Sequence, residues 1–382
     1  MTIRVLHVDT EKGWRGGERQ LLWLAAEIAR RGHTSVVAAR VGEPMAARAA
    51  EAGLAVVDCR PATELDPRAA WRLRREILGR RIDVVHAHTA HAVAIGAMAT
   101  LGTGVPLVVS RRVDFPLRAN AGTRWKYGRA ASIVAVSNAV ANVLVAGGIA
   151  RDRIAVVPDG VDLRRVAEPA SAATLAACGV TPNRPLIVQV AQLVGHKDPV
   201  NFVRAMAYAN RANPNLQALM VGDGPLRGEV TEEIRRLSLA DVIHLTGYRT
   251  DADALLAAAT VVCLSSREEG MGSVLLDAMA FGRPIAATTA GGIPEIVLHE
   301  ETGLLADREN PEALGGVIVQ LANDRALADR LVAAGRRRVR EFSVERMTDR
   351  MIEIYDRVTA DSEASKTERA STASSDSSTV AP

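Results

Sequence analysis

Two carboxylates, Glu269 and Asp277, stand eight residues apart in the stretch TVVCLSSREEGMGSVLLDAMAFGRPIAATTAGGIPEIVLHE, residues 260–300. Glu269 falls in a polar, glycine-broken loop, 265–272, and Asp277 one turn into the helix predicted after it. Acids at these places would repel a phosphate. They suit the hydroxyls of a sugar and a ribose on either side of a diphosphate. The glycines between them do the complementary part. Gly270 and Gly272 let backbone come close, and the free N–H groups of a helix start attract anions. Taken singly, Glu269 reads equally as a loop charge and Asp277 as a solvated helix residue. Taken with the glycines, they read as a binding site.

The elements around them follow from the same stretch. The apolar run Val261–Leu264 has the length of a buried parallel strand. Ser273 reads as a helix N-cap, with Val274, Leu275, Ala278 and Met279 on an apolar face. Gly282 reads as the glycine that ends this helix, with Pro284 just beyond. Ile285–Thr288 is the next strand, then a Gly291-Gly292 turn, then a helix opened by Pro294 and Glu295. Two strand–loop–helix units thus put glycine loops at one carboxyl edge of a parallel sheet, where open α/β sheets bind ligands.

The run EEGMGSVLLDAMAFGRPIAATTAGGIPEIV resembles the donor-sugar motif of the retaining glycosyltransferases of family 4, which have the GT-B fold. The resemblance implies two Rossmann-like parallel-sheet domains facing across a cleft. It also implies transfer from a nucleotide diphosphate sugar to a glycan or lipid-linked cell-envelope acceptor. In that family the first acid of the motif contacts the sugar and the second the ribose. Here these are Glu269 and Asp277, an aspartate where the family has glutamate. Gly270, Met271, Gly272 and Ser273 fall in the same motif. The resemblance extends over about 3–358. Gly16-Gly17-Glu18-Arg19 is similar to the family's glycine loop near the diphosphate. In QLVGHK (192–197), Lys197 matches the lysine of the diphosphate clamp, while Gln192 stands where the family usually has arginine; Arg267 or a first-domain arginine would have to compensate. VGDGP, with Gly222, is similar to another family loop. Gly247-Tyr248-Arg249 resembles the loop that contacts the nucleotide base through backbone. The implied catalytic pair is Glu269 and Lys197, with no metal and no cofactor.

In order along the chain, 3–9 reads as a first strand. A loop, TEKGWRGG, and a helix over 18–31 follow, then a strand at 34–39. This loop is not GxGxxG, and no acid is placed for a dinucleotide ribose, which argues against a dehydrogenase. Strands at 54–58, 83–87, 106–110 and 132–136 alternate with helical segments, as in a doubly covered parallel sheet. His86, His88 and His91 invite a metal reading, but no Cys or carboxylate pair joins them; His88 at a strand end instead suits the cleft. Residues 111–129 hold six basic residues and one acidic residue, with Phe115, Trp125 and Tyr127 between them. Such a loop fits RNA held by stacking, an acidic acceptor or an anionic membrane surface. Arg111, Arg112 and Asp114 open it as cleft candidates. A lipid-directed branch of the family has a histidine near Arg112, so no catalytic histidine is carried over there.

The domain reading is 1–163 for an acceptor domain, 164–184 for a hinge and 185–342 for the nucleotide-sugar domain. A helix at 343–360 returns to the first domain. The Ser/Thr/Ala/Glu-rich segment 361–382 lacks aromatic and long apolar side chains and is expected to be disordered. A hydrophobic content of 48% in 382 residues supports two full cores. A net charge of +3 is too small to suggest nucleic acid as a main partner. Three scattered cysteines argue against a disulfide framework and suit a reducing cytosol. No signal peptide or spanning run is visible, so any membrane contact would be peripheral, at a cytoplasmic face. Two rivals stay open at this point: a GT-B epimerase or phosphorylase, and a non-catalytic nucleotide-sugar-binding protein.

Overall fold

The computed structural model describes residues 2–118 and 120–376, with side chains described to Thr367. Among the described residues, thirteen strands form two parallel sheets. The first contains β1 (Arg4–Val8), β2 (Thr34–Ala39), β3 (Ala55–Asp58), β4 (Val84–Ala87), β5 (Leu107–Arg111), β6 (Ser132–Ala135) and β7 (Ile154–Val156), in the order β3-β2-β1-β4-β5-β6-β7. The second contains β8 (Leu186–Val190), β9 (Gln217–Val221), β10 (Ile243–Gly247), β11 (Val261–Leu264), β12 (Ile285–Thr288) and β13 (Leu304–Ala306), in the order β10-β9-β8-β11-β12-β13. Every strand of β11 and β12 is buried along its whole length, as strands covered on both faces must be. The strand order reverses between β1 and β4 in one sheet and between β8 and β11 in the other. These reversals leave a crevice at the strands' carboxyl ends.

Helix α1 (Gly16–Arg30) leaves β1 through the glycine pair, two residues earlier than the sequence pattern indicates. Its inner face, Leu24 and Ile28, meets Met347, Met351, Ile354 and Tyr355 of the terminal helix, Val344–Asp376. The chain leaves the first sheet and returns to it side by side. Val161 N–H donates to the Phe342 carbonyl at 2.8 Å, and Val344 N–H donates to the Val161 carbonyl at 3.1 Å. The Gln20 side chain closes this joint, bonding both the N–H and the carbonyl of Gly160 at 2.8 Å.

Two expectations are corrected. The terminal helix does not stop at 360 but runs through most of the segment expected to be disordered, to Asp376; 377–382 lie outside the described residues. That segment holds no glycine or proline before its last residue and is rich in Ala, Glu and Ser. Propagation from an already docked helix adds a bond per residue without a new nucleus. Ser273 is not the N-cap either. Gly272 takes that position with φ +84°, a left-handed turn that glycine adopts without steric cost, and Ser273 becomes the first helical residue. The expected hinge carries a short helix, Ala172–Ala177, whose Ser171 cap accepts from Thr174 N–H at 3.1 Å.

Candidate functional site

Glu269 ends up buried in the loop after β11, beneath three partners. Its Oε2 accepts from Ser266 Oγ at 3.0 Å and pairs with Lys197 Nζ. Its backbone N–H donates to Asp114 Oδ2, across the cleft, at 2.8 Å. Lys197 closes a single 3₁₀ turn after β8, Gly195–Lys197. The His196 carbonyl in that turn accepts from Arg267 and Glu268 N–H at 2.9 and 3.1 Å, so the two loops of the second sheet's switch point are stitched together. Gln192 is exposed on the same loop. Gly222 positions that loop: a Cβ there would lie 2.0 Å from the Ala191 carbonyl oxygen. Tyr248 stands open to solvent, and Arg249 beside it is paired with Asp251 at 2.6 Å.

Two helix starts approach each other over this centre. A Cβ on Gly16 would sit 3.4 Å from Ser273 Oγ, and one on Gly17 3.9 Å from Arg112 Cδ. Both helices present unpaired N–H groups and the positive ends of their dipoles there. The loop around Met271 is pinned from below, because the methionine sulfur accepts from Asp159 N–H at 3.1 Å. Gly270 lies against the other domain's backbone; a Cβ there would be 2.0 Å from the Arg112 carbonyl oxygen.

Asp277 is 1% exposed, and both its oxygens are taken. Oδ2 accepts from Arg19 at 2.5 Å and Oδ1 from Arg165 at 2.9 Å. The carboxylate expected to stand free for a ribose is therefore bracketed by two guanidinium groups. Sequence reading missed Arg165, which lies in the expected hinge with no motif around it. A long-range ion pair leaves no local periodicity to find.

The first domain contributes a buried polar line. Arg112 donates through Nε to Asp159 at 3.0 Å and lies 3.3 Å from His88 Nδ1 through a terminal nitrogen. His88 Nε2 meets His7 Nδ1 at 3.1 Å. Guanidinium only donates, so His88 Nδ1 accepts, its Nε2 carries the proton, and His7 in turn is protonated on Nε2. Burial holds all three of His7, His86 and His88 below the usual imidazole range, His7 at about 3, with Arg112 adding to the effect. Burial raises the Asp159 carboxyl, against the pull of Arg112. Arg111 turns away from this line, to Tyr127 at 3.3 Å and to the Phe115 carbonyl.

The histidines that meet are His7, His86 and His88, all buried, with one ring nitrogen of each within 4.8 Å of the others. His91 is exposed on a helix and does not join them. His7 was missed because it sits in an apolar strand, where register with His86 decides the contact. All but one of the six ring nitrogens already have protein partners: His86 bonds Tyr355 at 2.6 Å and Ser110 at 2.8 Å, and only His7 Nε2 lacks one among the described residues. That is a hydrogen-bond cluster rather than an open coordination set.

The chain is similar to known proteins in sequence and in fold. The model for Glycosyltransferase Family 4 matches residues 14–165, and that for Glycosyl transferases group 1 matches 176–338. Alpha-maltose-1-phosphate synthase of Mycolicibacterium smegmatis is 31% identical over 314 residues, 72% of this chain and 79% of that protein. The chain belongs to glycosyltransferase family 4. D-inositol 3-phosphate glycosyltransferase of Segniliparus rotundus is 32% identical over 294 residues, 72% of this chain and 61% of that protein. Anabaena Alr3699/HepE, solved with UDP-glucose, superposes with a TM-score of 0.81 at 21% identity, covering 93% of this chain and 99% of that one. The fold is GT-B, and this family 4 chain is a glycosyltransferase.

One buried group of this glycosyltransferase bears on its pH response. Asp9, just past β1, keeps Oδ1 on Glu11 N–H at 2.9 Å, while Oδ2 has no partner among the described residues. Burial raises its pKa from 3.8 to about 7. The stability tied to that carboxyl is therefore complete below pH 3.8 and is lost as pH rises through about 7. Asp9→Asn, which carries no charge at any pH, is expected to stabilise the protein by about 1–3 kcal/mol above neutrality, where the wild type must hold an ionised carboxylate in a buried site. Thermal melts check this: the gain over wild type should be larger at alkaline than at mildly acidic pH.

Proposed function

We propose that this glycosyltransferase takes a sugar from a nucleotide diphosphate sugar and passes it, with retention of configuration, to a glycan or lipid-linked cell-envelope acceptor. The observation that carries the donor reading is the Lys197–Glu269 pair set between two converging helix N-termini. A diphosphate entering there meets the N–H groups of both helices. Lys197 then exchanges a carboxylate for phosphate oxygens, and Glu269, still held by Ser266, is released to accept from sugar hydroxyls. The bond from the sugar's anomeric carbon to the leaving phosphate oxygen breaks, and its electron pair stays on the diphosphate. Lys197 and the helix ends stabilise that developing charge. The acceptor oxygen bonds to the anomeric carbon on the same face, and its proton passes to the leaving phosphate. UDP-glucose in the Anabaena neighbour supports a donor of this class.

The acceptor would lie on the first domain near His88, Arg112 and Asp114. Turnover should survive excess EDTA, because helix N-termini and Lys197 do the electrostatic work a cation would do. Release of nucleotide from a panel of nucleotide sugars, with and without acceptor mixtures, tests the whole reading. Conversion of the sugar without any acceptor would point to an epimerase instead. Proton NMR of the product reads its anomeric configuration.

We also propose peripheral contact with an anionic membrane, through a face wider than the 111–129 loop. Among the described residues no helix is long and apolar enough to cross a membrane. Tyr127 is buried and Lys126 is tied to Glu64, so neither belongs to the face, contrary to the sequence expectation. Phe115 and Trp125 remain exposed, with Arg118 and Arg124 beside them in sequence. The Lys126–Glu64 bridge ties this loop to the segment that enters the Pro67–Gly79 helix. That helix exposes Trp71 and Leu78, with the Arg75 guanidinium 5.1 Å from the Trp71 ring. Each basic residue near an anionic surface is worth about 1 kcal/mol and is screened by salt. Arg72→Glu with Arg75→Glu and Arg124→Glu is expected to cut low-salt recovery on phosphatidylserine vesicles at least about tenfold, on that scale. Equal recovery of variant and wild type would remove the membrane from the account.

A further inference from the structure

We propose that Arg19 is the second cation of the donor diphosphate site, and that Asp277 is the residue that positions it. The inference rests on the donor-site reading above. A nucleoside diphosphate carries more than one negative charge, and the loop after β8 offers it Lys197 but only a neutral Gln192. Arg19 stands in the first turn of α1, whose leading glycine faces Ser273 at the start of the opposing helix. It is therefore beside the space the two helix N-termini enclose.

Its guanidinium is held from several sides without being used up. One terminal nitrogen donates to Asp277 at 2.5 Å. The other lies 3.9 Å from Asp253, beyond hydrogen-bonding distance, and makes no hydrogen bond among the described residues. The group also lies 4.9 Å from the Trp23 ring, and Arg165 lies 5.2 Å from the same ring. Asp277 thus fixes Arg19 at one nitrogen and leaves another for a phosphate oxygen. Arg165 balances the second oxygen of the carboxylate, so moving Arg19 toward an anion does not strand a buried charge. The shorter aspartate fits this duty, because a side chain one methylene longer would push the guanidinium away from the helix. Gln192 and Asp277 then belong to one arrangement: the cation absent from the β8 loop arrives from α1, on a carboxylate cut to hold it.

The experiment compares UDP with UMP, and GDP with GMP, by isothermal titration calorimetry on the full chain. The wild type should bind at least one diphosphate more tightly than its monophosphate. Arg19→Gln should lose that preference by about tenfold or more while monophosphate affinity stays within about threefold, as expected for one charge-assisted contact. Arg19→Lys should keep part of it. Gln192→Arg, placed in the Arg19→Gln background, should restore the preference, which no purely structural defect at Arg19 would allow. Thermal melts confirm that each variant is folded. An unchanged diphosphate preference in Arg19→Gln overturns the proposal, as does a loss of both ligands alike that Gln192→Arg fails to repair. A wild type that binds none of the four nucleotides overturns the donor-site reading itself, and this inference with it.

Discussion

Glu269→Gln is expected to lower kcat by about 10–150-fold, the equivalent of roughly 1.5–3 kcal/mol for one hydrogen bond to a charged group. Glutamine keeps the shape of the side chain and can still accept from Ser266, so the loop after β11 should hold its course. What it loses is the charge that balances Lys197 in the free protein and strengthens the bonds to sugar hydroxyls during transfer. The melting temperature should move by only a few degrees, because the site is at a sheet edge and the apolar cores are untouched. KM for the donor should change less than kcat if the bond tightens in the transition state. A folded variant with wild-type turnover would take Glu269 out of the chemistry.

Gly270→Ala should cost at least as much, by a different route. The added methyl would meet the Arg112 carbonyl oxygen at 2.0 Å and its carbon at 2.8 Å, backbone atoms that cannot rotate away. Relief requires one domain to back off from the other. Overpacking of this kind costs about 1–3 kcal/mol, and here it falls on closure rather than on either core. Backing off also breaks the Asp114 bond to Glu269 N–H and the Ser137 bond to the Gly270 carbonyl, 2.8 and 2.6 Å in the closed arrangement. Turnover is expected to fall by about 100-fold or more, since misplacement of reacting groups by about 1 Å has that effect. Nucleoside diphosphate affinity should fall less, by about tenfold, because Arg19 and the start of α1 move off with the first domain while Lys197 and the Ser273 helix start stay in place on the second. Steady-state kinetics beside calorimetry separates the two effects. Wild-type turnover would show that the domains do not need this approach.

The local elements were readable because each is decided by short-range patterns. Val261–Leu264 is an unbroken apolar run, and it forms a strand buried throughout. The glycine pair at 16–17 begins a helix, and the glycines at 270 and 272 precede another. Small errors came where two local rules compete. Ser273 is a good capping residue, but a left-handed Gly272 claims the cap and leaves the serine hydroxyl facing Gly16. The segment past residue 360 cannot bury a core, yet it continues a helix already anchored by Tyr355 and Val358.

Sequence by itself determined the parallel α/β architecture, the loops that crowd its carboxyl edges, and the residue types offered there, because these depend on periodicity, turn chemistry and a recognisable motif. Tertiary structure alone decided the partners. It put Lys197 on Glu269, drew Arg19 and Arg165 onto Asp277 from 258 and 112 residues away, and chose His7 over His91 for the buried cluster. Such pairings depend on how two sheets meet. A buried charge takes whichever opposite charge the packing brings within reach, and nothing in its own neighbourhood along the chain encodes that choice.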